Sequence, residues 1–348
     1  MSQGFSIVIC TFNGKSRLTS TLTHLAALKI PVDNLVELVF VNNASTDDTA
    51  VFATALWQEL GEPFPLRLLT ESRPGKGYAV ETGYDAARYS HILTVDDDNW
   101  LQADYLVTAV ELMRQDPAIG VLQGYSTAVM EQTPPAWFDQ VKWYFIIGGP
   151  KPQVGYFATN DFYVWGAGMI IMRADWLRLR GLGFSALTSK LPGKAAGEDN
   201  EVAIGLLLLG RKIYYSDKLR YQHYMPKERI NWQRLRQNFD TFAYVSYYFF
   251  LYGVVNTSFQ KQLAITDARI LKEFGKFCAK YLQGFTLKHH IGYLLWHKED
   301  IYQLRLQQYY AMLKWFWKLR KQAKADIALI QGWMLPLLRS NPDFSWYY

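Results

Sequence analysis

Only two cysteines, Cys10 and Cys278, occur in the 348 residues of this chain. Two isolated thiols make neither a metal-binding spacing nor a disulfide framework, so a reducing compartment is the expectation. Nor is there an uninterrupted apolar run of about 20 residues, the length that a membrane-spanning helix needs. The nearest approach, Phe242 to Val255, is short and rich in tyrosine. The N-terminus lacks the basic flank and long apolar stretch of a signal peptide. Internal repeats and low-complexity tracts are also missing, so a stacked-repeat architecture is not expected. What the chain has is apolar and aromatic side chains, 50% and 16% of the residues, which excludes a disordered chain. Its formal net charge is +6. A basic balance suits phosphate-bearing substrates, nucleic acid or an anionic membrane surface and does not choose among them.

The first half alternates strand and helix signals. Phe5–Cys10, Leu35–Val41, Leu66–Thr70 and Ile92–Val95 read as strands, and Ile119–Gln123 resumes strand character. Between them, Arg17–Leu28, a helix capped by Ser45 or Thr46, Gly77–Ala87 and Asp104–Arg114 read as helices. Such alternation implies a mostly parallel sheet with helices on both faces. Pro134 to Gly155 is an irregular aromatic insertion. Tyr163–Arg173 is expected as a strand interrupted by Gly166 and Gly168, where missing side chains leave room for a ligand. A Gly/Lys loop over 185–197 precedes a helix over 200–209 and a short strand at Lys212–Ser216. After about residue 230 the signals are helical. The expected division is a catalytic unit over 1–228 and a helical region over 229–348.

The apolar run His91–Val95 stops at three consecutive aspartates, Asp96, Asp97 and Asp98. Carboxylates at the carboxyl end of a strand project into the crevice where open α/β sheets bind ligands. Strand side chains alternate, so Asp96 and Asp98 are expected to converge, with Asp97 turned away or into the following turn. Two converging carboxylates with no basic neighbour attract a hard divalent cation and, through it, phosphate.

The order of several pieces resembles the family 2 glycosyltransferases of the GT-A fold, a nucleotide-diphospho-sugar transferase fold with a mostly parallel, Rossmann-like α/β sheet. Those pieces are Ile7-Val-Ile-Cys-Thr-Phe-Asn13, Val41-Asn-Asn-Ala-Ser-Thr-Asp47, Gly75-Lys-Gly-Tyr-Ala79, Asp96-Asp-Asp98, Trp165-Gly-Ala-Gly168 and Gly197-Glu-Asp199. Together they span roughly residues 5–225. The resemblance implies transfer of a sugar, with inversion, from a UDP-, dTDP- or GDP-linked donor to a saccharide or lipid-linked saccharide. It implies a divalent metal, Mg2+ or Mn2+, held by Asp98 with Asp96 and His223, and a general base at Asp199 with Glu198 beside it. Donor contacts are implied for Thr11, Phe12, Asn13, Asn43, Lys76, Asp96, Asp97, Gly166 and Gly168. Phe12 stands where the family stacks an aromatic on the base. Asn42 and Asn43 replace frequent aspartates, and an amide can donate as well as accept, so the base stays open. Lys227 and Arg229 are candidates for a clamp on the diphosphate. Processive members carry Gln-x-x-Arg-Trp hereabouts. This chain has Arg229-Ile-Asn-Trp232, which points to transfer of a single sugar.

Two rival readings keep the same crevice: a catalytically silent nucleotide-sugar-binding protein and a nucleotidyltransferase. The latter would need a glycine-rich triphosphate loop, and Thr11-Phe-Asn-Gly-Lys15 is a poor one. No nucleic-acid recognition module is present. In the last third, Tyr244, Tyr247, Tyr248, Leu251 and Tyr252 form one helical stripe. Leu306, Tyr309, Tyr310, Leu313 and Trp317 form another, with lysines nearby. The second stripe reads either as a helix lying in an anionic membrane interface or as one packed on the catalytic unit. Trp315, Phe316 and Trp317 are consecutive, and one face cannot bury all three. The expected location is cytoplasmic, with peripheral attachment at the inner face of the plasma membrane if the first alternative holds.

Overall fold

The computed structural model describes residues 2–159, 162–191, 193–194, 196–286, 289–291, 293, 300–344 and 346. Along the chain run β1 (Gly4–Thr11), α1 (Lys15–Ala26), β2 (Leu35–Asn43), α2 (Thr49–Glu59), β3 (Leu66–Glu71), α3 (Lys76–Ala86), β4 (His91–Asp96) and β5 (Asn99–Leu101). Then come α4 (Tyr105–Gln115), β6 (Ile119–Met130), α5 (Phe138–Val141), β7 (Gly155–Tyr156), β8 (Ile170–Met172), α6 (Arg173–Gly181), α7 (Glu198–Leu208) and β9 (Lys212–Met225). The described helices that follow are α8 (Trp232–Gln260), α9 (Asp267–Leu282), α10 (Ile301–Leu319) and α11 (Ala323–Ser340).

The strands form one sheet in the order β3-β2-β1-β4-β8-β6-β9-β5, with β7 beside β9. β1 pairs in parallel with both β2 and β4, and β2 in parallel with β3. Such pairs need crossover helices, which cover the faces and bury the strands on both sides. Phe5, Ile7, Val8 and Ile9 of β1 are accordingly inaccessible. Strand order reverses between β1 and β4, because the chain first adds β2 and β3 on one side and then returns to the other. A crevice opens at the carboxyl ends of the strands at such a reversal. Thr11 and Phe12 leave β1 there, and the aspartate triplet leaves β4.

Several sequence-based boundaries need correction. β6 and β9 run well past Gln123 and Ser216, pairing with each other in parallel as far as Met130 and Met225 across an irregularity between Gln123 and Tyr125. Their distal halves alternate polar and apolar residues and form no continuous apolar run. Of the strand expected over Tyr163–Arg173, only Ile170–Met172 pairs, because Gly168 takes a left-handed φ of 69° that breaks the extended path. Helix α6, with buried Asp175, Trp176 and Leu179, has too thin an apolar stripe to be seen by periodicity. Ser45 and Thr46 do not cap α2, which begins at Thr49. They bond to Asn13 instead: the Asn13 N–H donates to Ser45 Oγ, and Asn13 Oδ1 accepts from the Thr46 N–H.

The C-terminal helices share a core with the sheet. One apolar cluster runs from Val8, Val39 and Ile171 through α7 to Tyr247, Leu251, Phe316 and Trp333. The change of character near residue 229 is thus a change of secondary structure and not of core. The tyrosine stripe of α8 is buried throughout. On α10 the buried face is Leu304, Leu306, Tyr309, Met312, Trp315 and Phe316. Trp317, placed in the stripe by sequence, is 63% exposed and lies under the Arg320 guanidinium, 3.9 Å from its ring centre. The Phe316 ring stacks on Phe274 with centroids 3.5 Å apart. Among the described residues, no helix is long and apolar enough to cross a membrane.

This packing separates two neighbours that sequence treats alike. Phe316→Ala should cost about 3–5 kcal/mol in urea denaturation, the usual result of emptying an aromatic core site. Trp317→Ser should stay within about 0.5 kcal/mol of the parent, as exposed substitutions do. Equal effects at the two positions would contradict the packing.

Candidate active site

Three cations from distant segments meet the three aspartates. The chain enters a turn after Asp96, so strand alternation no longer governs Asp97 and Asp98. Asp97 is buried and gripped by Arg17, whose Nε lies 2.9 Å from Oδ1 and whose Nη2 lies 2.7 Å from Oδ2. The Thr11 hydroxyl also donates to Asp97, and Thr21 Oγ1 donates to its backbone carbonyl at 2.8 Å. Burial raises the Asp97 pKa against the pull of Arg17. Asp96 Oδ1 accepts from Lys76 Nζ at 2.9 Å. Asp98 Oδ2 meets Arg229 Nη1 at 2.5 Å, and its Oδ1 lies 3.4 Å from His223 Nε2. Burial alone would raise the Asp98 pKa, but the charges of His223 and Arg229 outweigh it and hold the group well below the usual carboxylate range. The expectation of a carboxylate pair without basic neighbours is therefore corrected: the neighbours come from tertiary structure.

On the other wall, α7 begins at a tight turn. Gly197 has φ 104°, and a Cβ there would come within 2.9 Å of Thr188 Oγ1 and Val245 Cγ1. The turn presents Glu198 and Asp199 in the first helical residues. Asp199 Oδ2 accepts from the Gly166 N–H at 2.8 Å. Its Oδ1 accepts from the Asn200 N–H at 2.7 Å and from Asn200 Nδ2 at 2.9 Å. Asn200 is itself clamped to both backbone groups of Val164. Glu198 Oε2 accepts from the Ser189 hydroxyl, and its Oε1 lies 3.5 Å from Lys76 Nζ. Lys76 thus bridges Asp96 and Glu198. Burial works against its charge, but Asp96 and Glu198 more than compensate and keep it protonated. Burial, then the negative charge of Glu198, pushes the Asp199 pKa up to about 7. A carboxylate in that range can take a proton at neutral pH.

The other expected residues take various positions. Phe12 is 56% exposed at the crevice. Asn13 is left-handed and ties its loop to Ser45 and Thr46. Asn43 is buried and serves the loop before α3: its amide donates to the carbonyls of Glu71 and Arg73, and its oxygen accepts from the Gly75 N–H. The neighbouring Asn42 Oδ1 is buried with no hydrogen-bond partner among the described residues. The Gly168 carbonyl accepts from Tyr105 OH at 2.6 Å, behind the site. Lys227 is exposed, with its ammonium 3.9 Å from Glu228, whereas Arg229 turns inward to Asp98. Sequence reading missed Arg17 and Asn200. Arg17 sits in the first turn of α1, just past the loop that faces the triplet, and Asn200 directly follows the acidic pair.

Asp98 and His223 form the part of the expected metal set that the fold brings together. Both ring nitrogens of the buried His223 lack a hydrogen-bond partner among the described residues. Its Nε2 lies only 3.4 Å from Asp98 Oδ1, and a carboxylate beside an imidazole is a donor set that fits Mn2+ or Mg2+. Asp96 does not join them, and among the described residues no group of three such side chains is gathered. Asp96, Glu198 and Asp199 all line a cavity of about 1010 Å³ that extends from the sheet to α8 and α10.

Comparison with known proteins bears on the family and the fold. Residues 6–177 match the family model described as Glycosyl transferase family 2. A crystal structure of S. aureus TarS 1-349 in complex with UDP-GlcNAc is 17% identical, covering 99% of this chain and 93% of that chain at a TM-score of 0.51. The same protein in complex with UDP is 16% identical over the same shares, also at 0.51. A mannosyltransferase, PcManGT from Pyrobaculum calidifontis, in complex with GDP-Man and Mn2+, is 16% identical, covering 91% of this chain and 88% of that chain at 0.54. No curated protein matches the sequence.

The grip on Asp97 yields a stability test. Arg17→Met leaves a buried carboxylate unpaired and should cost about 3–5 kcal/mol. The measurement is the urea midpoint at neutral pH, and a shift equivalent to less than about 1 kcal/mol would mean that Thr11 and water suffice.

Proposed function

The chain belongs to glycosyl transferase family 2 and has the GT-A fold, and on that premise we propose that its crevice moves one sugar from a nucleoside-diphosphate donor to an acceptor hydroxyl, with inversion at the anomeric carbon. One observation carries the reading: Asp199 is held rigidly at the cavity wall by Gly166 and Asn200, with its pKa raised to about 7. The donor lies across the ends of β1 and β4, its base against the exposed Phe12. The acceptor hydroxyl approaches from the α7 side and gives its proton to Asp199. The hydroxyl oxygen attacks the anomeric carbon, and the bond from that carbon to the diphosphate breaks on the opposite face. Gly166 and Asn200 occupy both carboxylate oxygens without satisfying every lone pair, so Asp199 keeps the capacity to accept a further proton.

Asp98 and His223 are the residues that would hold a divalent cation. When bound, such an ion neutralises charge that develops on the departing diphosphate. The mannosyltransferase complexed with GDP-Man and Mn2+ supports a divalent metal, and the TarS complexes with UDP and UDP-GlcNAc support a nucleotide-sugar donor. Arg229, on Asp98, is positioned to exchange that carboxylate for a phosphate oxygen, which a guanidinium fork suits. Lys76 keeps Asp96 and Glu198 at fixed separation while the donor enters.

A panel of UDP-, dTDP- and GDP-sugars tests the reading through metal-dependent binding and turnover. Asp199→Asn should leave donor affinity near parental and lower turnover about 10²–10⁴-fold. The parental kcat/KM should fall about tenfold per pH unit below about 7, because the base must be ionised. A product of retained configuration would overturn the mechanism. Separately, Asp98→Ala should abolish the part of donor affinity that depends on Mn2+. Calorimetry with and without the metal checks this, and equal affinity in mutant and parent would remove Asp98 from the assignment.

A further inference from the structure

The cavity at the active site is larger than the reacting groups require. At about 1010 Å³ it lies at the top of the range of roughly 300–1,000 Å³ usual for a single ligand site. Its lining carboxylates, Asp96, Glu198 and Asp199, belong to the ends of β4 and α7. Among the described residues, the wall furnished by α8 and α10 has none. It carries Arg234 and Arg305 with the amides Gln237, Asn238 and Gln308.

Among the described residues, five cations line this cavity: Lys76, Lys194, Arg229, Arg234 and Arg305. Three have carboxylate partners, Asp96 for Lys76, Asp240 for Lys194 and Asp98 for Arg229. Arg234 and Arg305, both exposed at the mouth of the cavity, have none among the described residues. Arg234 makes one side-chain contact, from Nη1 to Gln237 Oε1 at 3.3 Å on its own helix. The Arg305 guanidinium lies over the Phe285 ring at 5.3 Å. Its helix is anchored by neighbours: Arg236 Nε donates to Gln307 Oε1 at 3.0 Å, and Tyr281 OH to Gln308 Oε1 at 2.9 Å. The backbone that presents the two arginines is therefore held, while among the described residues no carboxylate meets their guanidinium groups. Partial desolvation, then the like charge of Arg229 just before α8, lowers the Arg234 pKa, so positive charge faces the α8 end of the cavity. Such a field favours a bound anion.

We propose that the α8–α10 wall is an acceptor subsite for a phosphate-bearing molecule, with Arg234 and Arg305 as its anion-binding groups. The proposal rests on the transferase reading above and adds the chemical class of the acceptor. Planar guanidinium forks match phosphate oxygens in pairs, which a neutral sugar would not use. The Trp143 and Tyr144 rings, with centroids 4.1 Å apart, also line the cavity and offer an apolar face to the carbon skeleton of the acceptor. The phosphate is held on the helices, and a hydroxyl of the same molecule reaches Asp199. The donor diphosphate belongs at the end of β4 beside Asp98, and Arg229 stands between the two subsites.

The test compares glycerol 3-phosphate and decyl phosphate, as water-soluble and lipid-like sources of the same group, with glycerol and decanol as neutral controls. Binding to the full chain is followed by calorimetry with the nucleoside diphosphate present. At least one anionic probe should bind the parent and the neutral ones should not, and the probe that binds identifies the source. The Arg234→Gln, Arg305→Gln double variant should lose about tenfold or more in that affinity, the size of one lost charge-assisted hydrogen bond. Its nucleoside diphosphate affinity and its transfer of sugar to water should match the parent, which also verifies that it is folded. If the double variant does not fold, the two single variants are measured in its place, and each should weaken the same probe. The Arg→Lys pair should recover part of the loss. The proposal is overturned if neither phosphate probe binds the parent, if neutral probes bind as well, or if the Gln variants bind like the parent. Failure of the transferase reading looks different: the parent would then bind no nucleotide-sugar, whatever the probes do.

Discussion

The site depends on one constraint: charges gathered where little water reaches must all find partners. Asp96, Asp97 and Asp98 each face a different cation, Lys76, Arg17 and Arg229. Taking a carboxylate out of water costs several kcal/mol unless it is paired and hydrogen-bonded. These three pairs therefore fix where the first turns of α1 and α3 and the segment before α8 must sit relative to β4. Lys76 carries the constraint furthest, because its ammonium also lies 3.5 Å from Glu198. That second contact joins the end of β4 to the start of α7, where Asp199 stands.

Rigid backbone surrounds this charge network. The left-handed Gly197 lets α7 start against Thr188 and Val245 with no room for a side chain. Glu201, one turn into α7, is buried and accepts from the N–H groups of Leu187 and Thr188 and from the Tyr252 hydroxyl of α8. The loop before α7, the helix itself and α8 are thus tied by a single carboxylate. The acid pair is presented by a packed scaffold, which keeps Asp199 desolvated and its pKa high. The C-terminal helices share the core of the sheet and complete the cavity, so they are part of the site's construction and not an appendage to it.

Much of the fold was legible because parallel strands covered by helices must be apolar along their length. The runs at β1, β2 and β4 and the leucines of α1 announce themselves. The aspartate triplet and the Gly-Glu-Asp turn were visible for the same reason, as polar residues where an apolar run ends. Legibility failed where the local pattern was diluted. β6 and β9 extend into alternating residues that a single strand does not distinguish from a loop. Trp315, Phe316 and Trp317 look equivalent in sequence, and helix phase alone separates the two buried rings from the exposed one. The three hydrogen bonds of Asn43, to the end of β3 and the loop before α3, are likewise invisible to local pattern.

By itself the sequence determined the kind of sheet, the crevice at its carboxyl edge, the family, and the acids that stand at that edge. These follow from local rules, the period of side chains along a strand or helix and the residues that end one. Tertiary structure alone decided which cation meets which acid. Lys76 and Asp96 are 20 residues apart, Arg17 and Asp97 80, and Arg229 and Asp98 131. No periodicity links positions so distant. Their meeting is set by strand order and by the cost of leaving a buried charge alone, and both exist only once the chain has folded.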